Sequence, residues 1–292
     1  VRIVSLLPSA TEIVCALGLV GDLRGVTFEC DFPPEARSKP VVSSSGLEAS
    51  TEDPDAIDAA VRAATEGGTP LYQLDDAAIA EIDPDVILTQ DLCRVCAVPS
   101  GDVDEALERL GCSAEVVSLD PHSLDEVIDD IDRVGRVLGV EARAAEVTAA
   151  LRARLGVVRA SVVGLARPTV LLLEWVDPPF GAGHWIPDMI DAAGGEPLLA
   201  AAGSHSGALA WDAIADADPD VVIVAPCGFG LDGAVEHARL ARAHLPERAS
   251  VWAVDGDAHV VRPGPRLVDG VEVFTALLHG QSPPPGTATP IS

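Results

Sequence analysis

Cys93 and Cys96 stand two residues apart in TQDLCRVCAVP (89–99), directly after an apolar run. A thiol pair at that spacing serves as a redox dithiol, as half of a soft-metal site, or as two loop thiols without a chemical role. A redox dithiol also needs a thiolate stabilised at a helix N-terminus, and here the next helix is expected only near Asp102, which weighs against that reading. Three more residues of the same chemistry follow other apolar runs: Cys30 in ECDFPP (29–34), His184 in FGAGHWIP (180–187) and Cys227 in CGF (227–229). Thiolates with imidazole form the ligand set of zinc, copper(I) or an iron–sulfur cluster, provided they converge to bonding distance, about 2.3 Å for Zn–S. Cys30, Cys93, Cys96, His184 and Cys227 are therefore the candidate metal ligands, with zinc or iron as the implied group. Cys15, inside a helix, reads as a buried inert thiol, and Cys112 follows a helix-ending Gly111.

A second chemistry is apolar. Aromatic residues make up only 3% of the chain, yet Phe32, Trp175, Phe180, Trp185 and Phe229 cluster around these same segments. Each can be core, but large ligands need such faces, and Phe180 and Trp185 are the expected contacts. His184 is either packed on Trp185 or a polar handle for the ligand. Glu174 ends a buried strand and needs a partner. Arg262 or Arg266 in VVRPGPR can supply it, or Arg262 can meet an anionic ligand. There is no nucleophile elbow, Walker loop, HExxH or dinucleotide fingerprint, and Ser5 and Ser9 lack a His/Asp partnership. The residues point to binding rather than to an enzyme.

Positioning these residues falls to an alternation of β-branched runs with amphipathic stretches, the signature of parallel α/β architecture. Strands are expected near 2–8, 23–28, 39–43, 70–74, 85–90 and 114–119, and helices near 9–21, 54–66, 76–82, 102–110 and 123–138. Ser9 and Glu12 read as a capping box for the first helix. Residues 140–165 carry helix-forming composition without proline and form the longest helix expected. Strands then resume at 168–176, 221–226 and 250–254, with helices near 187–193, 232–244 and 265–279. IDPDVILTQ (82–90) and ADPDVVIVAP (217–226) share D-P-D-V, which puts Cys93/Cys96 and Cys227 at equivalent strand ends, where open parallel sheets hold ligands.

The resulting division is an N-terminal α/β lobe (1–139), a linking helix (140–165), a C-terminal α/β lobe (166–280) and a Pro-rich tail (281–292) expected to be disordered. A formal charge of −27, with 46 acidic and 19 basic residues, excludes nucleic acid and anionic membrane as partners, because phosphate attraction needs the opposite sign. No apolar run suffices for a membrane span. No basic-then-apolar leader precedes the first strand, which favours the cytoplasm unless a leader was removed.

RIVSLLPSATEIVCALGLVGDLRGV, CDFPPEA, the two DPDV strands, the PPF loop, AGGEPLL (193–199) and PGPRLVDGVEVFTALLHG (263–280) together resemble the periplasmic-binding-protein superfamily of cobalamin and iron-siderophore importers, and within it the cobalamin-binding branch. The resemblance spans about 1–280. It implies a class III architecture, two lobes joined by one rigid helix, with a metal-containing ligand such as a corrinoid in an interlobe cleft and an ABC permease as partner outside the cytoplasm. By position, the family's contact segments fall at Cys30–Phe32, after Gln90, at Pro178–Phe180 and after Pro226. Importer members carry aromatics in the first two loops, where this chain offers cysteines. Of the two permease-docking acids, one falls near Asp212 and the other on Ala77, with Asp75 and Asp76 adjacent. The rival expectation is a cytoplasmic metal-handling or thiol-dependent enzyme using the same Cys/His set.

Overall fold

The computed structural model describes residues 1–45, 54–67, 71–92 and 98–292. They form two compact units, unit 1 comprising Val1–Asp120 and Asp130–Val147, and unit 2 comprising Pro121–Asp129 and Thr148–Ser292. Unit 1 begins with β1 (Ile3–Ser5) and α1 (Pro8–Ala16). The capping box expected of Ser9 and Glu12 does not form. Leu7 is the N-cap without a side-chain bond, Pro8 occupies the first turn, and Ser9 and Glu12 are buried. Proline suits that position because its missing N–H and fixed φ cost a first turn nothing.

The unit continues through β2 (Leu23–Thr27), a 3-10 turn (Pro34–Ser38), β3 (Val41–Ser45), α2 (Pro54–Gly67), β4 (Tyr72–Leu74), α3 (Asp76–Ile82), β5 (Val86–Thr89), α4 (Ser100–Leu110) and β6 (Glu115–Ser118). Sheet order is β4-β3-β2-β1-β5-β6, parallel except for β4, which runs antiparallel on β3. All four residues of β5 are buried, as expected where helices cover both faces of a parallel sheet. The core is aliphatic: Val4, Leu6, Val42, Ile79, Ile87, Val98, Val103 and Leu107.

The unit boundary falls within α5 (Leu124–Val137) and within α6 (Glu141–Ser161), the long helix expected at 140–165. A Cβ on Gly135 would lie 2.3 Å from the Ala144 Cβ, so the close approach of α5 and α6 requires glycine there.

Unit 2 adds β7 (Thr169–Val176), β8 (Pro179–Gly181), α7 (Ile186–Ala192), β9 (Glu196–Pro197), β10 (Gly207–Ala208), α8 (Trp211–Ala217), β11 (Val221–Val224), α9 (Leu231–Arg242), β12 (Ser250–Val254), α10 (Gly256–His259), α11 (Leu267–Leu278) and β13 (Ala288–Ile291). Its strand order is β10-β8-β7-β11-β12-β13, with β9 on β7. β7, β11 and β12 are parallel, while β8, β10 and β13 are antiparallel additions at the edges. The segment 281–292, expected to be disordered, instead supplies β13, pairing Ala288–Ile291 with Val251–Val254. Edge pairing tolerates its proline, because an edge strand leaves one row of backbone groups unpaired. Among the described residues no helix is long and apolar enough to cross a membrane.

The repeated D-P-D-V has one structural job in both units. Asp83 and Asp218 sit in the left-handed conformation (φ 47° and 45°) and end α3 and α8. One arginine then clamps both aspartates of each motif. Arg2 bonds Asp83 at 2.8 Å and Asp85 at 2.7 Å, and Arg248 bonds Asp218 at 2.6 Å and Asp220 at 2.9 Å. Asp85 also accepts from Arg2 N, and Asp220 from Thr169 N, so each motif ties its strand to the first strand of its sheet. Both carboxyls are held down to about 2, Asp85 chiefly by the Arg2 guanidinium and Asp220 chiefly by the Thr169 N–H and Arg248.

Candidate functional site

The carboxyl ends of the unit 1 strands carry an aromatic face. Thr27, the last residue of β2, is buried and accepts a 2.7 Å bond from the Ser43 hydroxyl on β3. The next residue, Phe28, emerges 44% exposed, and Phe32 is 41% exposed. Antiparallel pairing of β4 sets Tyr72 opposite Ser45, at the same edge of the sheet. Its ring centre lies 6.1 Å from that of Phe28, within aromatic contact range. Neither Phe28 nor Tyr72 was singled out by sequence reasoning, which took this loop as a bearer of Cys30. The structure corrects that reading. Cys30 is buried, with its thiol 3.0 Å from the Thr11 hydroxyl, so it faces the unit's interior rather than a ligand.

Cys93 and Cys96 lie outside the described residues. The chain on either side is pinned by carboxylates: Asp120 Oδ1 accepts from Asp91 N at 2.6 Å and Leu92 N at 2.7 Å, and Asp91 accepts from Ser100 N at 2.8 Å and from the Ser100 hydroxyl at 2.7 Å. Ser118 Oγ lies within hydrogen-bond distance of both carboxylates.

In unit 2 the equivalent edge carries a second aromatic face. Trp175 and Phe180 are cross-strand partners on β7 and β8, and the Trp175 ring centre is 5.8 Å from that of Phe229. The buried His237 closes the group from α9, 4.5 Å from Phe229 and 5.2 Å from Trp175. Burial pushes its imidazole pKa down. Cys227, just past β11, is an exposed free thiol. Arg262 does not stand alone toward a ligand: it pairs with Asp257 at 3.2 Å, and Asp257 accepts from Gly228 N at 3.1 Å, so the arginine braces the Cys227–Phe229 loop. Trp185, expected to contact ligand, is a core residue. It is 5% exposed and its indole N–H donates to Val260 O at 2.8 Å.

His184, its neighbour in sequence, packs its ring on that indole, ring centres 5.6 Å apart, the first of the two alternatives read from the sequence. Its backbone is left-handed (φ 50°), and its N–H donates to Ser204 O at 2.6 Å while Gly203 N donates back to its carbonyl at 3.1 Å. Glu174 accepts from Gly183 N at 3.1 Å and from the Ser206 hydroxyl at 2.8 Å, locking the turn from the other side. Burial and the nearby His205 and His122 push the His184 pKa down to about 4. His122 and His205 were not found by sequence reasoning, because they come from loops far apart in the chain. Among the described residues, which do not include Cys93 and Cys96, no three His, Cys, Asp or Glu are arranged around an ion as the side chains stand. A cavity of about 270 Å³ at the end of α6, lined by Arg159, Val162, Leu165, Arg167 and Asp191, contains none of these strand-end residues.

Residues 3–244 match the model of the periplasmic binding protein family. The chain belongs to that family. Among curated relatives, a cobalamin-binding protein of Halobacterium salinarum is 26% identical over 287 residues, covering 95% of this chain and 69% of the relative. Two solved structures share the fold. The periplasmic vitamin B12 binding protein BtuF of Vibrio cholerae gives a TM-score of 0.69 at 22% identity, covering 95% of this chain and 96% of that one. A periplasmic haem binding protein of Pseudomonas aeruginosa gives 0.68 at 23% identity, covering 100% and 95%. The class III α/β architecture expected from the sequence is thus observed, in a family of binding proteins rather than of enzymes.

Proposed function

We propose that the protein is the solute-binding component of an ABC importer and that its solute is a large metal-containing organic complex of the cobalamin, haem or iron-chelate kind. The observation that carries this reading is the placement of aromatics in unit 1. The only aromatic residues of that unit, Phe28, Phe32 and Tyr72, are all at least partly exposed, and only Tyr72 packs in part against the aliphatic core. Aromatic side chains are among the largest contributors to burial, so a fold that leaves every one of them accessible reserves them for a ligand. The Trp175–Phe180–Phe229 group offers a second face of the same chemistry in unit 2. Relatives named for cobalamin and haem support a ligand of that size and apolarity.

Within this reading Phe28, Phe32, Tyr72, Trp175, Phe180 and Phe229 contact the solute, and the exposed Asp212 in the first turn of α8 is the acid that docks to the permease in unit 2. Asp75 and Asp76 are weaker docking acids, because Asp75 caps α3 through Ala78 N and Asp76 is held by Arg109. The test is to titrate the purified protein with cobalamin, haem and a ferric siderophore while following absorption and thermal unfolding. A ligand at a hundredfold excess over Kd adds about 2.7 kcal/mol of stability, which a melting curve resolves. No spectral change and no stabilisation with any of the three would refute the proposal.

A further inference from the structure

We propose that His122, His184 and His205 form a binding site for one divalent transition-metal ion of the zinc, nickel or copper class. Three imidazoles meet here within unit 2, their ring centres 5.1 Å apart for His184–His205 and 6.0 Å for each pair with His122. With metal–nitrogen bonds of about 2.1 Å and ring centres about 1.1 Å beyond the bonded nitrogen, three histidines on one tetrahedral ion hold their ring centres about 5.3 Å apart. The triangle is therefore already close to the size a three-histidine site requires.

The donor atoms agree. His184 Nε2 and His205 Nδ1 are 3.1 Å apart and share a hydrogen bond. Two nitrogens on one tetrahedral ion stand about 3.4 Å apart, so the ion replaces the shared proton with a shift of a few tenths of an ångström. The balance is simple: the ring that donated moves its proton to its other nitrogen, both facing nitrogens become lone-pair donors, and no proton need leave. We assign the third position to His122 from its ring-centre distances, and the adjustment of its ring that this requires is part of the proposal.

The surroundings hold the backbones of two of the three in place. The His184 turn is fixed by paired backbone bonds with Gly203 and Ser204, and Gly183 admits no side chain, because a Cβ would lie 2.3 Å from Ser206 N. The His122 backbone is fixed by Glu126, whose carboxylate accepts from His122 N at 2.6 Å while Glu126 N bonds the Ser123 hydroxyl, a capping box at the start of α5. Imidazoles are common ligands of zinc, nickel and copper. The site shares His184 with the Cys/His set suggested by the sequence but uses none of its cysteines, and it does not depend on the identity of the solute.

The test uses the full chain carrying Cys93→Ser and Cys96→Ser, so that those thiols contribute nothing, with cobalt(II) as a spectroscopic probe and zinc(II) in competition. The expected result is one cobalt(II) per chain, with the visible absorption of a four-coordinate ion, displaced by zinc. His205→Ala and His122→Ala, each checked for native tryptophan fluorescence, should weaken binding at least about tenfold. His244→Ala, whose ring stacks on Trp211, should not. Absence of stoichiometric binding, or binding undiminished in both His205→Ala and His122→Ala, would overturn the proposal.

Discussion

The turn that presents His184 can be tested by a single methyl group. In Gly183→Ala the new Cβ would meet Ser206 N at 2.3 Å, His205 C at 2.6 Å and Ser204 O at 2.6 Å. All three are backbone atoms, so no side chain can rotate aside, and the 203–206 segment must move. Such a move strains the bonds between His184 and residues 203 and 204 and those from Gly183 and Ser206 to Glu174. Overpacking costs about 1–3 kcal/mol, and each weakened hydrogen bond about 1 kcal/mol, so a loss of about 3 kcal/mol is expected. The assay is built into the chain, because all four tryptophans (175, 185, 211 and 252) lie in unit 2. Urea unfolding followed by tryptophan fluorescence therefore reports that unit alone. Gly207→Ala is the control, since a Cβ there meets nothing within 4 Å. If Gly183→Ala unfolds within about 0.5 kcal/mol of wild type, as a surface substitution would, the close-packed turn does not exist in solution.

Other outcomes are expected on the same reasoning. Phe28→Ala should weaken solute binding about tenfold while costing less than about 1 kcal/mol of stability, because the ring is almost half exposed; isothermal titration and unfolding curves separate the two effects. Trp185→Phe should do the reverse, destabilising unit 2 by about 1–2 kcal/mol through the lost bond to Val260 O while leaving the solute Kd unchanged. Acid should weaken both units through the D-P-D-V carboxylates. The folded pKa values of Asp85 and Asp220, near 2, lie below the ordinary value near 3.8, so their stabilisation is complete above about pH 4 and fades as pH falls toward 2. Asp220→Asn should therefore narrow the gap between the urea midpoints of unit 2 at pH 7 and pH 3, and an unchanged gap would show that the Asp220 clamp contributes nothing to acid sensitivity.

How far the sequence revealed this molecule depended on the scale of the feature. The parallel strands and long helices were legible because a strand buried on both faces, such as β5, reads as an unbroken apolar run, and a helix such as α4 announces its end with a left-handed glycine, Gly111. β8, β9, β10 and β13 were not, since strands of two to four residues containing Pro or Gly carry no periodicity and exist only because a longer neighbour offers an edge. The loops of the site followed from topology, but the direction of their side chains did not. His184 and Trp185 are adjacent and were read together, and their rings do pack on one another, yet only the indole belongs to the core while the imidazole stays half-buried. Within Phe28-Glu29-Cys30 the residue that sequence reasoning favoured turned inward and the one it passed over emerged.

That inversion bears on what the strand ends are for. The buried clusters beside the two sheets are built of Val, Leu, Ile and Ala, whose branched or small side chains pack between sheet and helix without needing a polar partner, although unit 2 also buries Phe274 and Trp185. Phe28, Trp175 and Phe229 stay outside those clusters, where the strands end. The cost is exposed apolar area, worth about 25 cal/mol per Å² while it remains in water. A surface charge of −27 can keep such a protein dispersed despite that area, since like-charged copies repel. The acidity is thus compatible with, and helps to tolerate, the apolar faces by which this protein would hold a large solute.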